Sequence, residues 1–188
     1  MHGKRNPTTQ CVGIEAPLGH RRLTGLNGLW FSGQTWGWLV VATLGLVSAA
    51  WGQVSPQQME EGKKVYETTC MVCHQPTGMG IPGVYPPLAG GDFVAGGNRR
   101  AISIVLNGLQ GAVTVKGVPY NGVMQAWKAV LTDDKIAAVL TYERNSFGNK
   151  ASPVTPEQVK KVRDELANRT TPFTPAEIEQ IPNEDVKP

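Results

Sequence analysis

Two cysteines separated by two residues and followed at once by a histidine, Cys70-Met71-Val72-Cys73-His74, set the tightest limit on what this 188-residue chain can build. On a helical turn Cys70 and Cys73 stand at i and i+3 and face the same side, with His74 next to them. A structural disulfide or a thioredoxin-like redox pair is one use of such cysteines in an exported protein. Zinc is a weaker one, because a tetrahedral site wants four ligands and residues 53–188 hold only these two cysteines and this one histidine. The spacing matches c-type haem attachment, in which each sulfur adds to one vinyl group of the porphyrin and the histidine reaches the iron from the same face.

Charge divides the chain ahead of this motif. No Asp, Glu, Lys or Arg lies between Arg22 and Glu60, and Trp36 to Trp51 is continuously small or apolar. With Lys4, Arg5, Arg21 and Arg22 in front and Ala50-Trp51-Gly52 behind, residues 1–52 read as an export signal. An uncleaved membrane anchor is the alternative, since the uncharged run extends back to Leu29. The strictly apolar part reaches only about 24 Å as a helix, short of the roughly 30 Å hydrocarbon core. Residues 1–52 carry four of the eighteen basic residues and one of the fifteen acidic ones, which leaves the remainder balanced at fourteen of each. That remainder has no basic footprint for nucleic acid, and the expected location is the periplasm or the outer face of the inner membrane.

A haem iron held by His74 needs a sixth ligand, and residues 53–188 contain no second histidine. Among the methionines, Met71 lies inside the attachment turn, Met79 is too close after His74 to cross the ring, and Met59 precedes the motif. Met124 has enough chain between it and His74 to reach the opposite face, and a thioether suits an electron-transfer iron. Its competing role is that of a gap-filling core methionine.

Local signals outline the fold. Ser55-Pro56 starts a helix expected to run to about Thr69. Gly62 and Tyr66 share one face of it, so a close crossing is expected at Gly62 against the helix opened by Thr132-Asp133-Asp134, whose apolar stripe is Ile136, Val139, Leu140 and Tyr142. A further helix is expected over Arg99 to Leu109, then a small hairpin in which Val113-Thr114-Val115 and Val118-Pro119-Tyr120 flank Lys116-Gly117. Beyond Asn149, Thr155-Pro156-Glu157-Gln158 and Thr174-Pro175-Ala176-Glu177 resemble capping boxes. The first places Val159, Val162 and Leu166 on one side, either docked on the preceding domain or free to bind a partner.

The run from Pro56 to Asn149, with its attachment motif, Tyr85-Pro86-Pro87-Leu88-Ala89-Gly90 loop, Tyr120 to Trp127 methionine loop and closing helix to Ser146, resembles a class I cytochrome c domain. It is most similar to the bacterial single-haem kind found as modules or partners of respiratory complexes and terminal oxidases. The resemblance implies an all-α fold of three to four helices around one covalent haem c, occupying 53–150, with 151–188 as a C-terminal extension of short helices. It implies haem attachment at Cys70 and Cys73, iron ligation by His74 and Met124, and a proline carbonyl, matching Pro86 or in second place Pro87, that accepts the axial histidine's hydrogen bond. Gln125 and Ala126 follow the methionine where the family often has proline. Trp127 reads either as a cover for the ring or propionate donor, or as a core tryptophan.

A six-coordinate iron leaves no position for substrate, so the expected function is one-electron transfer, without catalysis, between redox partner proteins such as a quinol-oxidising complex and a terminal oxidase. The alternative is a fixed cytochrome c subunit of a larger oxidoreductase. A peroxidase or gas sensor would want a distal base that residues 53–188 do not supply as a second histidine. Docking is expected at the rim formed by Gly78 to Ile81 and the Met124 loop, with Lys116 and Lys128 as steering charges. Membrane contact is expected only where residues 1–52 stay attached as an N-terminal anchor.

Overall fold

The structure, a computed structural model, describes residues 53–187, and the expected leader at 1–52 lies outside the described residues. Helix α1 (Pro56–Val65) opens where expected: Ser55 is extended, its hydroxyl accepts the Gln58 amide at 3.0 Å, and Pro56 needs no partner for a missing N–H. The helix does not stop at Thr69. It continues through a π-helical turn, Tyr66–Cys70, into α2 (Met71–His74). Two neighbouring threonines favour this widening, for Thr68 Oγ1 donates to the Lys64 and Val65 carbonyls and Thr69 Oγ1 to the Val65 carbonyl, in competition with the regular ladder.

A short turn, α3 (Asp92–Ala95), precedes α4 (Asn98–Asn107), which Gly108 ends at φ 81°. The hairpin β1 (Leu109–Val115) and β2 (Val118–Met124) then pairs from Leu109↔Met124 to Val115↔Val118. Its turn, Lys116 and Gly117, has φ of 52° and 78°, the pair of positive values that matches the twist of a two-residue hairpin. The pairing is longer than the sequence reading gave it, because Gly111, Asn121 and Gly122 mimic loop residues. This antiparallel pair is the one sheet among the described residues, and the other regular elements are helices joined by loops.

Helix α5 (Asp133–Arg144), capped by the Thr132 hydroxyl, crosses α1 at Gly62 as expected. Around the crossing, Tyr66, Tyr142 and Phe147 form an aromatic cluster with ring centroids 5.2 to 5.7 Å apart. Val65, Tyr66, Ile102, Leu106, Ile136 and Leu140 make up the centre of the core.

The C-terminal segment shares this core. In α6 (Pro156–Glu165) and α7 (Pro175–Gln180) both capping boxes are formed, by Thr155 with Gln158 and by Thr174 with Glu177. Val159 and Val162 are buried in the same cluster as Leu140, each contributing about 2 kcal/mol of apolar burial. Phe173 adds a parallel bridge to Leu109 and lies under the Arg169 guanidinium, 3.8 Å from the ring centroid. The chain then returns to α4. The Val186 amide donates to Asn98 Oδ1 at 2.8 Å, and Gln158 Nε2 donates to the Val186 carbonyl at 2.6 Å. Arg144, 1% exposed, donates to the carbonyls of Val94, Gly96 and Ser152 and so ties two segments, the end of α3 and the chain at Ser152, to the end of α5. Among the described residues no helix is long and apolar enough to cross a membrane.

Candidate cofactor site

The π-helical turn delivers Cys70 to the start of α2, and α2 ends on His74 because Gln75 leaves the helix at φ 63°, ψ 160°. That conformation is close to glycine-only territory. It is held on two sides: the Gln75 amide donates to the Met71 carbonyl at 2.9 Å and the Tyr66 hydroxyl to the Gln75 carbonyl at 2.6 Å. The chain then doubles back, the Gly80 amide donating to the His74 carbonyl at 3.0 Å and the Leu88 and Ala89 amides to the Gly78 carbonyl. Asn149 anchors the far end of this loop to α5. Its Nδ2 donates to the Leu88 and Glu143 carbonyls and its Oδ1 accepts the Gly90 amide.

The folded loop brings the Pro86 carbonyl oxygen to 2.9 Å from His74 Nδ1. A carbonyl can only accept, so Nδ1 carries the proton and Nε2 keeps its lone pair for a Lewis acid. His74 is buried, and its loss of solvent pushes its pKa below the ordinary histidine value, against the Pro86 bond, which raises it. Burial outweighs the bond, so the imidazole stays neutral at neutral pH, while the Pro86 carbonyl fixes which nitrogen carries its proton.

A cavity of about 390 Å³ opens beside this turn. Cys70, Cys73, His74 and Pro86 line it together with Met124, at the end of β2, and Trp127. Leu88, Val105, Leu131 and Val139 supply apolar walls. The two cysteines are free thiols, not joined as a disulfide. Their sulfurs, an imidazole nitrogen with a free lone pair and a thioether around one apolar space form a donor set that fits a covalently attached haem and its iron. The Met124 position depends on Gly108, where a Cβ would stand 2.4 Å from the Met124 carbonyl oxygen, so only glycine lets α4 turn into the hairpin here.

One wall residue had not been singled out from the sequence. Glu143, 5% exposed, lies on α5 with its carboxyl turned to the cavity and the Cys70 thiol. Burial pushes its pKa up to about 7, opposed by the neighbouring Cys70 thiol. The same burial, reinforced by Glu143, raises the Cys70 thiol. A signal was available: Glu143 continues the apolar stripe of Ile136, Val139 and Leu140 at helical spacing, and an acid on such a stripe is anomalous.

Lys116 Nζ donates to the Ala89 carbonyl at 3.3 Å, and Lys128 Nζ to the Arg169 carbonyl. Lys128 is therefore a tether to the C-terminal segment more than a free surface charge. The rim of the cavity is instead apolar: Val72, Val84, Tyr85 and Val123 line it and are exposed. A second cleft, about 420 Å³, lies among α4, α6 and α7 beside the Arg99 and Glu165 ion pair, and holds none of the residues expected to bind a cofactor.

A family model described as Cytochrome c matches residues 59–146. The chain is 45% identical over 112 residues to cytochrome c-552 of Thermus thermophilus, a match covering 55% of this chain and 84% of that protein. It is also 32% identical over 106 residues to the cytochrome c subunit of alcohol dehydrogenase (quinone) from Gluconacetobacter polyoxogenes, covering 55% of this chain and 22% of that subunit. With the corresponding subunit from Gluconobacter oxydans the identity is 28% over 107 residues, again 22% of the relative.

Proposed function

The chain belongs to the cytochrome c family of electron carriers with covalent haem c, and on that premise we propose that it carries one electron at a time on an iron ligated by His74 and Met124, outside the cytoplasm. The observation that supports this most is the convergence of Cys70, Cys73, His74 and Met124 on one cavity with His74 Nδ1 already committed to the Pro86 carbonyl. The bound haem supplies the one-electron couple. The chain's own residues do the remainder. Cys70 and Cys73 fix the ring by thioether bonds, Pro86 orients the imidazole, and the apolar wall, Trp127 included, keeps water from the iron.

Electrons enter and leave through the exposed rim of Val72, Val84, Tyr85 and Val123, where partners dock by apolar contact. The relatives that are subunits of a quinone-linked alcohol dehydrogenase favour a second reading of the same chemistry, a place inside a larger oxidoreductase. Co-purification from the native membrane separates the two.

The decisive experiment is the absorption spectrum of the purified haem protein in both redox states. The weak ferric band of methionine sulfur on iron is expected in the wild type and absent from Met124→Ala. A high-spin ferric wild type, or a band that survives the substitution, rejects the ligand assignment.

A further inference from the structure

Glu143 is a carboxylic acid where an apolar residue would complete the stripe of α5, and nothing in the cavity wall neutralises it. No lysine or arginine is among the residues lining the cavity. On α1, which packs on α5, Glu60, Glu61, Lys63 and Lys64 are all exposed. On the π-helical turn Glu67 is exposed, and Tyr66 and Cys70 face the carboxyl as neutral groups held above their ordinary pKa by burial. Asp92 of α3 is exposed; on α4, Arg99 is tied to Glu165 and Arg100 to the carbonyls of Glu179 and Ile181. On α6, Arg163 is paired with Asp133 and Lys160 with Asp164, while Lys161 donates to the Lys187 carbonyl. On α5 itself, Tyr142 is aromatic core, and Arg144 turns the other way, to Val94, Gly96 and Ser152. His74 shares the cavity, its imidazole committed to Pro86 and, on the reading above, to iron.

Attachment sharpens the anomaly. When the Cys70 sulfur adds to a vinyl group, the S–H bond breaks, an S–C bond forms, and the hydrogen ends on the vinyl's other carbon. The thioether that results has no proton to donate. Glu143 thereby loses the neighbouring thiol that favours its ionised form, while a porphyrin filling the cavity would remove more water from it. An iron held by His74 in the same cavity would carry one more unit of positive charge when oxidised than when reduced, and that charge would favour the carboxylate.

We infer that Glu143 binds a proton when the haem is reduced and releases it when the haem is oxidised, so that this protein moves a proton with its electron. The electron goes to iron, the proton comes from solvent to a Glu143 carboxyl oxygen, and both leave on reoxidation. By linkage the coupling is reciprocal: protonating Glu143 favours reduction by the same factor by which reduction raises its affinity for the proton. Burial alone already brings the carboxyl to about 7 before attachment; attachment raises it further and oxidised iron lowers it, so the two redox states stand on opposite sides of an exchange that the titration below locates. The inference rests on the reading that the haem occupies this cavity.

The test is a redox titration of the intact haem protein from pH 5 to pH 9, followed optically, for wild type and Glu143→Gln. The wild-type midpoint potential is expected to fall with rising pH through neutrality, with a proton uptake approaching one per electron, and Glu143→Gln is expected to lose that fall. Haem propionates titrate in both proteins, so the difference between them belongs to Glu143. Identical curves, or a flat wild type, overturn the inference. Glu143→Leu, which completes the apolar stripe, serves if the amide prevents haem attachment, and it must also lose the dependence. Independently, the infrared difference spectrum of the wild type at neutral pH should gain a buried protonated-carboxyl band on reduction, and its absence overturns the inference. The ferric spectrum of the same samples reports methionine ligation separately, so a flat titration with the sulfur band present condemns the role of Glu143 alone.

Discussion

Gly62 of α1 rests on the backbone of Ala138 in α5 so closely that a Cβ at position 62 would stand 2.1 Å from the Ala138 carbonyl oxygen and 2.7 Å from Tyr142 Cβ. The obstacle is main chain, which cannot swing aside. Gly62→Ala is therefore expected to destabilise the haem protein by about 3 kcal/mol, overriding the roughly 1 kcal/mol that alanine gains over glycine within a helix. A denaturation midpoint equal to that of wild type would disprove the tight crossing.

Asn98 should be costly to remove although no chemistry depends on it. It is fully buried, its Oδ1 accepts the Val186 amide, and its Nδ2 donates to Gln158 Oε1 at 3.0 Å. Asn98→Ala leaves the buried Val186 amide unpaired and takes from Gln158 Oε1 one of its two donors, the Thr155 amide remaining, for an expected loss of about 2 kcal/mol. Limited proteolysis should then cut first after residue 180, where the returning segment is released.

Stability should depend on pH through Glu143 with a definite sign. Its pKa rises from 4.5 to about 7 on folding. Between those values the folded state holds a proton that the unfolded state has given up. Stability is thus fully present below the lower value, declines as pH rises through the interval, and stays reduced above it. The size is about 3 kcal/mol. Glu143→Gln should match wild type in urea denaturation at acid pH and exceed it at pH 8; equal midpoints at both would contradict this.

The backbone offers an opposed pair of substitutions. Gln75 pays for a conformation that glycine adopts freely, so Gln75→Gly is expected to add about 1 kcal/mol of stability. Gly117 has φ 78° and open space where a Cβ would go, so Gly117→Ala should cost about 1 kcal/mol from conformation alone. Thermal denaturation of the two variants should shift in opposite directions.

An apolar rim with both nearby lysines engaged changes what salt should do. Electron self-exchange between oxidised and reduced copies, measured by NMR line broadening, is expected to vary little with ionic strength. Val123→Glu, at a position 65% exposed on the rim, should slow exchange and make it salt-dependent. A steep salt dependence in the wild type would restore the lysines as steering charges.

Much of this architecture was legible because its signals are local. Ser55-Pro56 announced α1, Lys116-Gly117 the turn, Thr155 and Thr174 the last helices, and a glycine four residues before a tyrosine announced a helix crossing. The grouping of the cysteines with His74 was legible for the same reason. The π-helical turn was not, because threonines back-bonding to the helix carry no pattern that distinguishes them from helix-interior threonines elsewhere. The hairpin's full length hid behind glycines. Lys128 looked like a surface charge because its partner, the Arg169 carbonyl, is main chain from a distant segment. Glu143 is legible only as an exception: a carboxylate at the helical spacing of an apolar stripe carries no motif of its own, and its burial against the cavity comes from the fold.

The acceptor for the His74 imidazole is a main-chain oxygen, and this displaces the bond's vulnerability to a different codon. No side-chain replacement at position 86 deletes that oxygen. The loop path that presents it depends on Gly80, where a Cβ would stand 2.2 Å from the Tyr85 carbonyl oxygen and 2.7 Å from that of Pro86. A mutational screen scored on iron ligation would therefore flag Gly80 and pass over many changes at Pro86, so that the residue making the contact and the residue encoding it are not the same.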